Sequence, residues 1–299
     1  MAIVSVVIPS YNRGHCIRES IDSVLQQTVQ DIEIIVVDDA SKDDTRAQVE
    51  SIADPRVRYL AHATNRGGGA ARNTGIQAAS ADFIAFLDSD DTWAVDKLEL
   101  QLAELERRGP DYGFVYTWLI GVDPQGKELW RFNDVLDGAR VAALFMRNAV
   151  GTFSSVMVRR SALVAAGGMD EQMRSCQDWD LFVRINQVTK ICCVQQYLVR
   201  YLQNSGDRHR ISANPAKIIA GHQRMLSKLR PQLEEMGAAV KVATFKEFAK
   251  VFVSAASLGN VARMIAEVLR LMPTPSNLVW ALLTLARVCK RKITRNVGY

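Results

Sequence analysis

A membrane-spanning helix needs about 20 consecutive apolar residues, and no run in this 299-residue chain approaches that length. Met1-Ala2 leads directly into IVSVVIP with neither a basic flank nor a cleavage site, so no signal peptide is expected. Cysteine is scarce: Cys16, Cys176, Cys192, Cys193 and Cys289 are odd in number and lack CxxC spacing. That speaks against a zinc site or a disulfide framework and makes a reducing cytosol the expected compartment. A glycine fingerprint for dinucleotides is missing where it should stand, after the first strand, where the chain reads Pro9-Ser10-Tyr11-Asn12-Arg13-Gly14. The glycine triplet comes later, at Gly67-Gly68-Gly69, and Arg72 occupies the place of that fingerprint's last glycine. No GxxxxGK[ST] phosphate loop occurs either. Finally, no acid follows Glu267, whereas Arg270, Arg287, Lys290, Arg291, Lys292 and Arg295 do. Taking those six cations from the net charge of +5 leaves −1 for residues 1–267, so the basic character belongs to the tail.

What is present is an alternation of strands and helices. Ile3–Pro9 and Phe83–Leu87 read as buried strands, and Ile32–Asp39 and Val57–Leu60 as strands between them. Helices are expected after the first strand up to about Gln27, from Ser41 onward, and over Ala70–Ala79. This alternation, from residue 3 to about 107, predicts an α/β domain with a mostly parallel sheet and helices on both faces. Ligands bind outside the carboxyl ends of such strands. Three of the first four strands end in candidate binding groups: Tyr11 and Asn12, Asp38 and Asp39, and Asp88 and Asp90. The stretch DFIAFLDSDDTW is the most informative, because an apolar strand runs straight into Asp88, Asp90 and Asp91. Three adjacent carboxylates repel one another unless a cation is near, and a hard divalent metal holding a phosphate would supply it. The plain alternative is that Asp90 or Asp91 caps a helix beginning near Trp93.

Beyond residue 110, Tyr112–Trp118, Glu128–Phe132 and Ser155–Val158 read as strands and Arg160–Ala166 as a helix. Leu181, Phe182, Ile185 and Val188 mark a helix with Asp178 and Asp180 in its first turn, where an acid complements the helix dipole. For Asp180 that role suffices.

In order, PSYNR (Pro9–Arg13), VVDDAS (Val36–Ser41), NRGGGAARNTGI (Asn65–Ile76), FLDSDD (Phe86–Asp91), GGMDE (Gly167–Glu171) and QDWDLFVR (Gln177–Arg184) resemble the motifs of glycosyltransferase family 2 over about residues 3–205. The resemblance implies a GT-A fold and an inverting enzyme that moves a sugar from a nucleotide-diphosphate donor, a UDP-sugar above all, to a glycan or lipid-linked acceptor in bacterial surface polysaccharide or glycoconjugate synthesis. It implies that Pro9, Tyr11, Asn12 and Asp39 line the nucleotide pocket, that Arg72 lies near the diphosphate and that Asp88 approaches the ribose. Asp90 would coordinate Mn2+ or Mg2+, and Asp178 would be the general base. The catalytic domain is expected over 1–213, with its nucleotide half at about 1–110, followed by a helical region over 214–299.

The chain departs from the family pattern at Gln177, where a glutamate is usual, and it lacks the QxxRW block of processive synthases, which points to single additions. It also lacks the histidine common after the YR-type strand; His209 comes later and is a candidate substitute. Residues 214–271 read as helical throughout, with Val242, Phe245, Phe248, Ala249 and Phe252 on a core stripe. Leu278–Cys289 is an apolar helix too short to span a bilayer, about 18 Å long, and it runs into Lys290-Arg291-Lys292. Residues 276–295 are thus read either as a membrane-surface contact or as packing on the domain or on a second copy of the chain in a homo-oligomer. No nucleic-acid partner is expected. A sugar nucleotidyltransferase and a nucleotide- or glycan-binding protein without turnover are the alternative functions.

Overall fold

The computed structural model describes residues 2–204 and 214–296, with side chains to residue 292. Among them, residues up to Val141, Ala149–Gln172 and 177–204 form one compact unit; Ala142–Asn148, Met173–Cys176 and residues from 214 onward form a second. His209 lies outside the described residues.

The first unit opens with β1 (Val4–Ser10), α1 (Ile17–Leu25), β2 (Ile32–Asp38), α2 (Thr45–Glu50), β3 (Val57–Ala61), α3 (Gly68–Ala78) and β4 (Phe83–Phe86). The four strands are mutually parallel in the order β3-β2-β1-β4. The runs of β1, β2 and β4 are buried because both faces are covered, whereas β3 lies at the sheet edge and is half-exposed. Val4, Val6 and Ile8 pack with Ile17, Ile21 and Val24 of α1 on one face. On the other, α3 lies so close that a Cβ at Gly75 would fall 2.3 Å from Val7.

The remaining elements of this unit are β5 (Thr92–Trp93), α4 (Lys97–Arg108), β6 (Tyr112–Val122), β7 (Glu128–Phe132), β8 (Val156–Arg159), α6 (Arg160–Ala165), α7 (Gln177–Val188) and β9 (Lys190–Leu202). Here the expectation of a mostly parallel sheet needs refinement. The nine strands run β3-β2-β1-β4-β8-β6-β9-β5, with β7 on β6, and β8 is antiparallel to both β4 and β6. The mixture has a consequence for function. Because β8 runs against β4, pairing Phe83 with Arg159 and Ala85 with Met157, the residues just before β8 stand beside the acids just after β4.

One expectation is corrected. No helix begins near Trp93: Thr92 and Trp93 form β5, paired with Arg200 and Val199, and α4 begins at Lys97 after Asp96. Neither Asp90 nor Asp91 is therefore the N-cap of α4. Trp93 is instead pinned by its indole N–H, which donates to the Ser154 carbonyl at 2.8 Å.

The second unit contains α5 (Ala142–Met146), α8 (Pro215–Glu234), α9 (Ala238–Ser254), α10 (Leu258–Leu271) and α11 (Pro275–Asn296). The expected unbroken helicity over 214–271 resolves into three helices, with Gly237 and Ser257 at the starts of the second and third. Val242, Phe245, Phe248, Ala249 and Phe252 are buried as a stripe. Among the described residues, no helix is long and apolar enough to cross a membrane.

Candidate active site

The loops leaving β1 and β2 are bound to each other. Asn12, with φ +53°, donates its N–H to Ser41 Oγ at 2.8 Å and accepts the Lys42 N–H on Oδ1 at 2.8 Å. Asparagine tolerates this left-handed backbone better than most residues. Pro9 pairs with Val37 inside the sheet, and the half-buried Tyr11 follows at the strand end.

At the end of β2, Asp38 accepts the Ser41 N–H and the Tyr59 hydroxyl, at 2.9 and 2.6 Å. Asp39 is 2% exposed and gathers the glycine-rich loop. Its carboxylate accepts the N–H groups of Arg66 and Gly67 at 2.8 and 2.6 Å, and lies 2.7 Å from His62 Nδ1. The other ring nitrogen of His62 is 2.9 Å from Thr74 Oγ1. Gly67 takes φ +92°, a conformation that suits glycine. His62, which the sequence singles out for nothing, thus bridges β2 to α3.

The centre of the site is an ion pair. Arg72 Nη2 donates to Asp88 Oδ1 at 2.5 Å, and Arg72 Nη1 reaches the Gly68 carbonyl and Gln177 Oε1, both at 3.3 Å. Its guanidinium lies 3.9 Å from the ring centroid of Phe153. Arg72 Nε is buried without a hydrogen-bond partner among the described residues. Such orphaned donors are rare and call for an explanation, a ligand among them.

The three acids after β4 have separate environments. Asp88 is met by Arg72 and by the Thr152 hydroxyl, while its N–H donates to Ser154 Oγ at 3.0 Å. Asp91 is fully buried and accepts from Ser154 Oγ at 2.6 Å and from the Leu202 N–H at 3.0 Å. Burial pushes its carboxyl well above the usual range, and the charges of Asp90 and Asp88 push the same way. Asp90 stands 3.8 Å from Arg13 Nη2. Thr152, Phe153 and Ser154 do this positioning work without carrying any motif in the sequence.

Asp178 opens α7. Burial pushes its carboxyl up to about 6; the Trp179 N–H opposes this, Asp88 adds to it, and Arg72 also opposes it. Asp178 is thereby coupled electrostatically to the Arg72–Asp88 pair. A carboxylate with such a pKa is mostly ionised at neutral pH and is a stronger base than an ordinary one. Asp180 behaves as a structural acid, buried and paired with Arg184 at 2.8 Å. The GGMDE segment is held against α3 by Asn73, whose amide accepts the Met169 N–H at 2.8 Å and donates to the Met169 carbonyl at 3.1 Å and to Glu171 at 2.9 Å.

Among the described residues, no three His, Cys, Asp or Glu side chains converge as a ready metal-binding group. Asp88 faces Arg72, Asp90 faces Arg13 and Asp91 is buried, so a hard cation at this strand end would be held chiefly by phosphate oxygens, with a carboxylate such as Asp90 adding to them.

Known proteins resemble this chain in sequence and in fold. The chain is 48% identical over 101 residues to Escherichia coli UDP-Glc:alpha-D-GlcNAc-diphosphoundecaprenol beta-1,3-glucosyltransferase WfgD, covering 34% of this chain and 40% of that one. It is 40% identical over 131 residues to the succinoglycan biosynthesis protein ExoO of Rhizobium meliloti, covering 44% and 37%. The chain thus spans less than half the length of either relative. The crystal structure of S. aureus TarS 1-349 in complex with UDP-GlcNAc shares the fold, with a TM-score of 0.67 at 17% identity over 96% of this chain and 89% of that one. Residues 5–165, more than half of the chain, match the model of glycosyl transferase family 2, and the chain belongs to that family.

Proposed function

We propose that this chain is an inverting glycosyltransferase that moves a sugar from a UDP-sugar to a hydroxyl of a glycan or lipid-linked acceptor in bacterial surface polysaccharide synthesis. The observation that carries the reading is the Arg72–Asp88 pair, with an unpartnered Arg72 Nε, electrostatically coupled to an Asp178 whose carboxyl titrates near 6. WfgD, whose name gives a UDP-glucose donor and a diphosphoundecaprenol-linked acceptor, and ExoO, named for succinoglycan biosynthesis, support the substrate class.

In this reading Pro9, Tyr11 and Asn12 line the base pocket. Asp39, already holding the Arg66 and Gly67 amides, offers a remaining lone pair to a base or ribose donor. Asp88 faces the ribose, and Arg72 lies beside the diphosphate. Mn2+ or Mg2+ at Asp90, when bound, would stabilise the negative charge that grows on the departing diphosphate. Asp178 takes the proton of the acceptor hydroxyl as its oxygen attacks the anomeric carbon. The bond to the nucleoside diphosphate breaks on the opposite side, and its electron pair leaves with the diphosphate. One displacement with one base inverts the configuration. A reducing cytoplasm, at the membrane face where a lipid-linked acceptor is presented, is the matching location.

Calorimetric titration with UDP, GDP and dTDP, with and without Mn2+, tests the site. Metal-dependent binding of UDP in preference to the others is expected, and Asp90→Asn should remove the metal dependence. Metal-dependent binding at unchanged affinity in that variant would reject Asp90 as the ligand. Absence of binding by any nucleotide would leave a protein with the fold but no donor site.

A further inference from the structure

Helix α11 is packed inside out. Among its described side chains, the buried ones are Asn277, Ala281, Thr284 and Val288, which recur at helical spacing and of which Val288 alone is both fully apolar and larger than threonine or asparagine. Asn277 is held there by bonds to the Met272 carbonyl at 2.8 Å and from Lys246 Nζ at 2.6 Å. Trp280 and Leu285 are half-buried at the edges of this face, but four large apolar side chains point the other way. Leu278, Val279, Leu282 and Leu283 are 49%, 56%, 69% and 53% exposed, and Ala286 is exposed beside them. At about 100° per residue these five occupy an arc of about 140°, roughly opposite the buried face. A helix that merely covered a core would turn its leucines inward. A contiguous exposed apolar patch of this kind marks an interaction surface.

The charge on the same helix selects the partner. From Pro275 to Asn296 there is no acid, and Arg287, Lys290, Arg291, Lys292 and Arg295 follow the apolar arc. Arg287, Lys290, Arg291 and Lys292 are exposed. A parallel second copy of this helix would bring five more cations to the same place, and an antiparallel one would offer neither basic end an acid, since the helix has none. An anionic lipid surface instead complements both parts: acyl chains accept the leucines, and headgroups accept the cations, whose stems extend to the interface.

We propose that α11 docks the protein on the surface of an anionic lipid bilayer, lying in the interface with Leu278, Val279, Leu282 and Leu283 inserted and the Arg287–Lys292 segment against lipid phosphates. The proposal deepens the acceptor reading above, since it sets the enzyme where a lipid-linked acceptor resides, but its mechanism rests on α11 alone.

The test is flotation of the full-length protein with phosphatidylcholine vesicles, with and without phosphatidylglycerol, alongside light scattering and nucleotide titration on the same preparation. Binding to the anionic vesicles is expected, with at least about a tenfold loss on removing phosphatidylglycerol or on raising salt. The paired change Leu282→Glu and Leu283→Glu should abolish flotation, while Lys290→Glu, Arg291→Glu and Lys292→Glu together should weaken it about tenfold or more. Nucleotide affinity should be unchanged in both variants. No flotation of the wild-type protein with anionic vesicles would overturn the proposal. So would a dimer that the two leucine changes split into monomers, because the face would then belong to a second copy. Loss of nucleotide binding in the wild-type protein would instead strike the donor reading and leave the lipid contact standing.

Discussion

At the scale of the residue, Asp178 is held at a cost to folding. Its carboxyl titrates near 6 in the folded protein, against 3.8 ordinarily, chiefly because it is buried. The folded state therefore keeps a proton, between those two values, that the unfolded chain has already released. Stability falls as pH rises through this window and stays lower above it, by up to about 3 kcal/mol. Asp178→Asn should accordingly raise the neutral-pH midpoint of thermal unfolding, by an amount worth about 1–3 kcal/mol, while removing sugar transfer. Nucleotide affinity should stay within a few-fold, since a base acts mainly in the transition state. In the wild type, kcat/KM should fall below about pH 6 as the base is protonated. A variant both less stable and unable to bind nucleotide would make Asp178 a structural residue instead.

At the scale of the element, Glu33 joins three parts of the sheet. It accepts from Ser5 Oγ on β1, from the N–H and Oγ of Ser80 before β4, all at 2.7 Å, and from Arg58 on β3 at 2.9 Å. Burial alone would raise its pKa, but these hydrogen bonds outweigh burial and hold it at about 2. A depressed carboxylate contributes stability that is present above its unfolded value of 4.5 and is lost as pH falls toward 2. Glu33→Gln should lower stability at pH 7 by about 2–3 kcal/mol and flatten the acid limb of the unfolding curve below about pH 5. Chemical denaturation across that range measures both. β1, β2 and β4 are legible in the sequence because strands covered on both faces read as apolar runs ending in polar groups, and β3, a half-exposed edge strand, is legible from its place in the alternation. The antiparallel half was not. The pairing of β5 with β9 and the placing of β8 between β4 and β6 are long-range choices that no local pattern encodes. For the same reason Thr152, Phe153 and Ser154 escaped notice: an ordinary threonine, phenylalanine and serine acquire their role only when β8 runs back along β4. The strand-end acids were visible as a group, but their division was not. Asp91 turns inward to Ser154 and Leu202, and Asp39 gathers the glycine loop, because of what surrounds them rather than what flanks them in sequence.

At the scale of the whole molecule, charge is segregated along the chain, with −1 over residues 1–267 and six cations after it. Changing Lys290, Arg291 and Lys292 to glutamate would move the net charge from +5 to −1, since each substitution removes two units. The wild type should bind a cation-exchange resin at neutral pH and low salt, and the triple variant should pass through it. Retention of the variant would place the basic surface elsewhere. The first unit carries a different kind of asymmetry. The Arg66 and Gly67 amides are fixed by Asp39, the β1 and β2 loops by Asn12 and Ser41, and the GGMDE segment by Asn73, all through groups of the chain itself. A floor built this way is preorganised: the entropy of ordering these loops is lost during folding, and the nucleotide proposed to meet them would have little left to order.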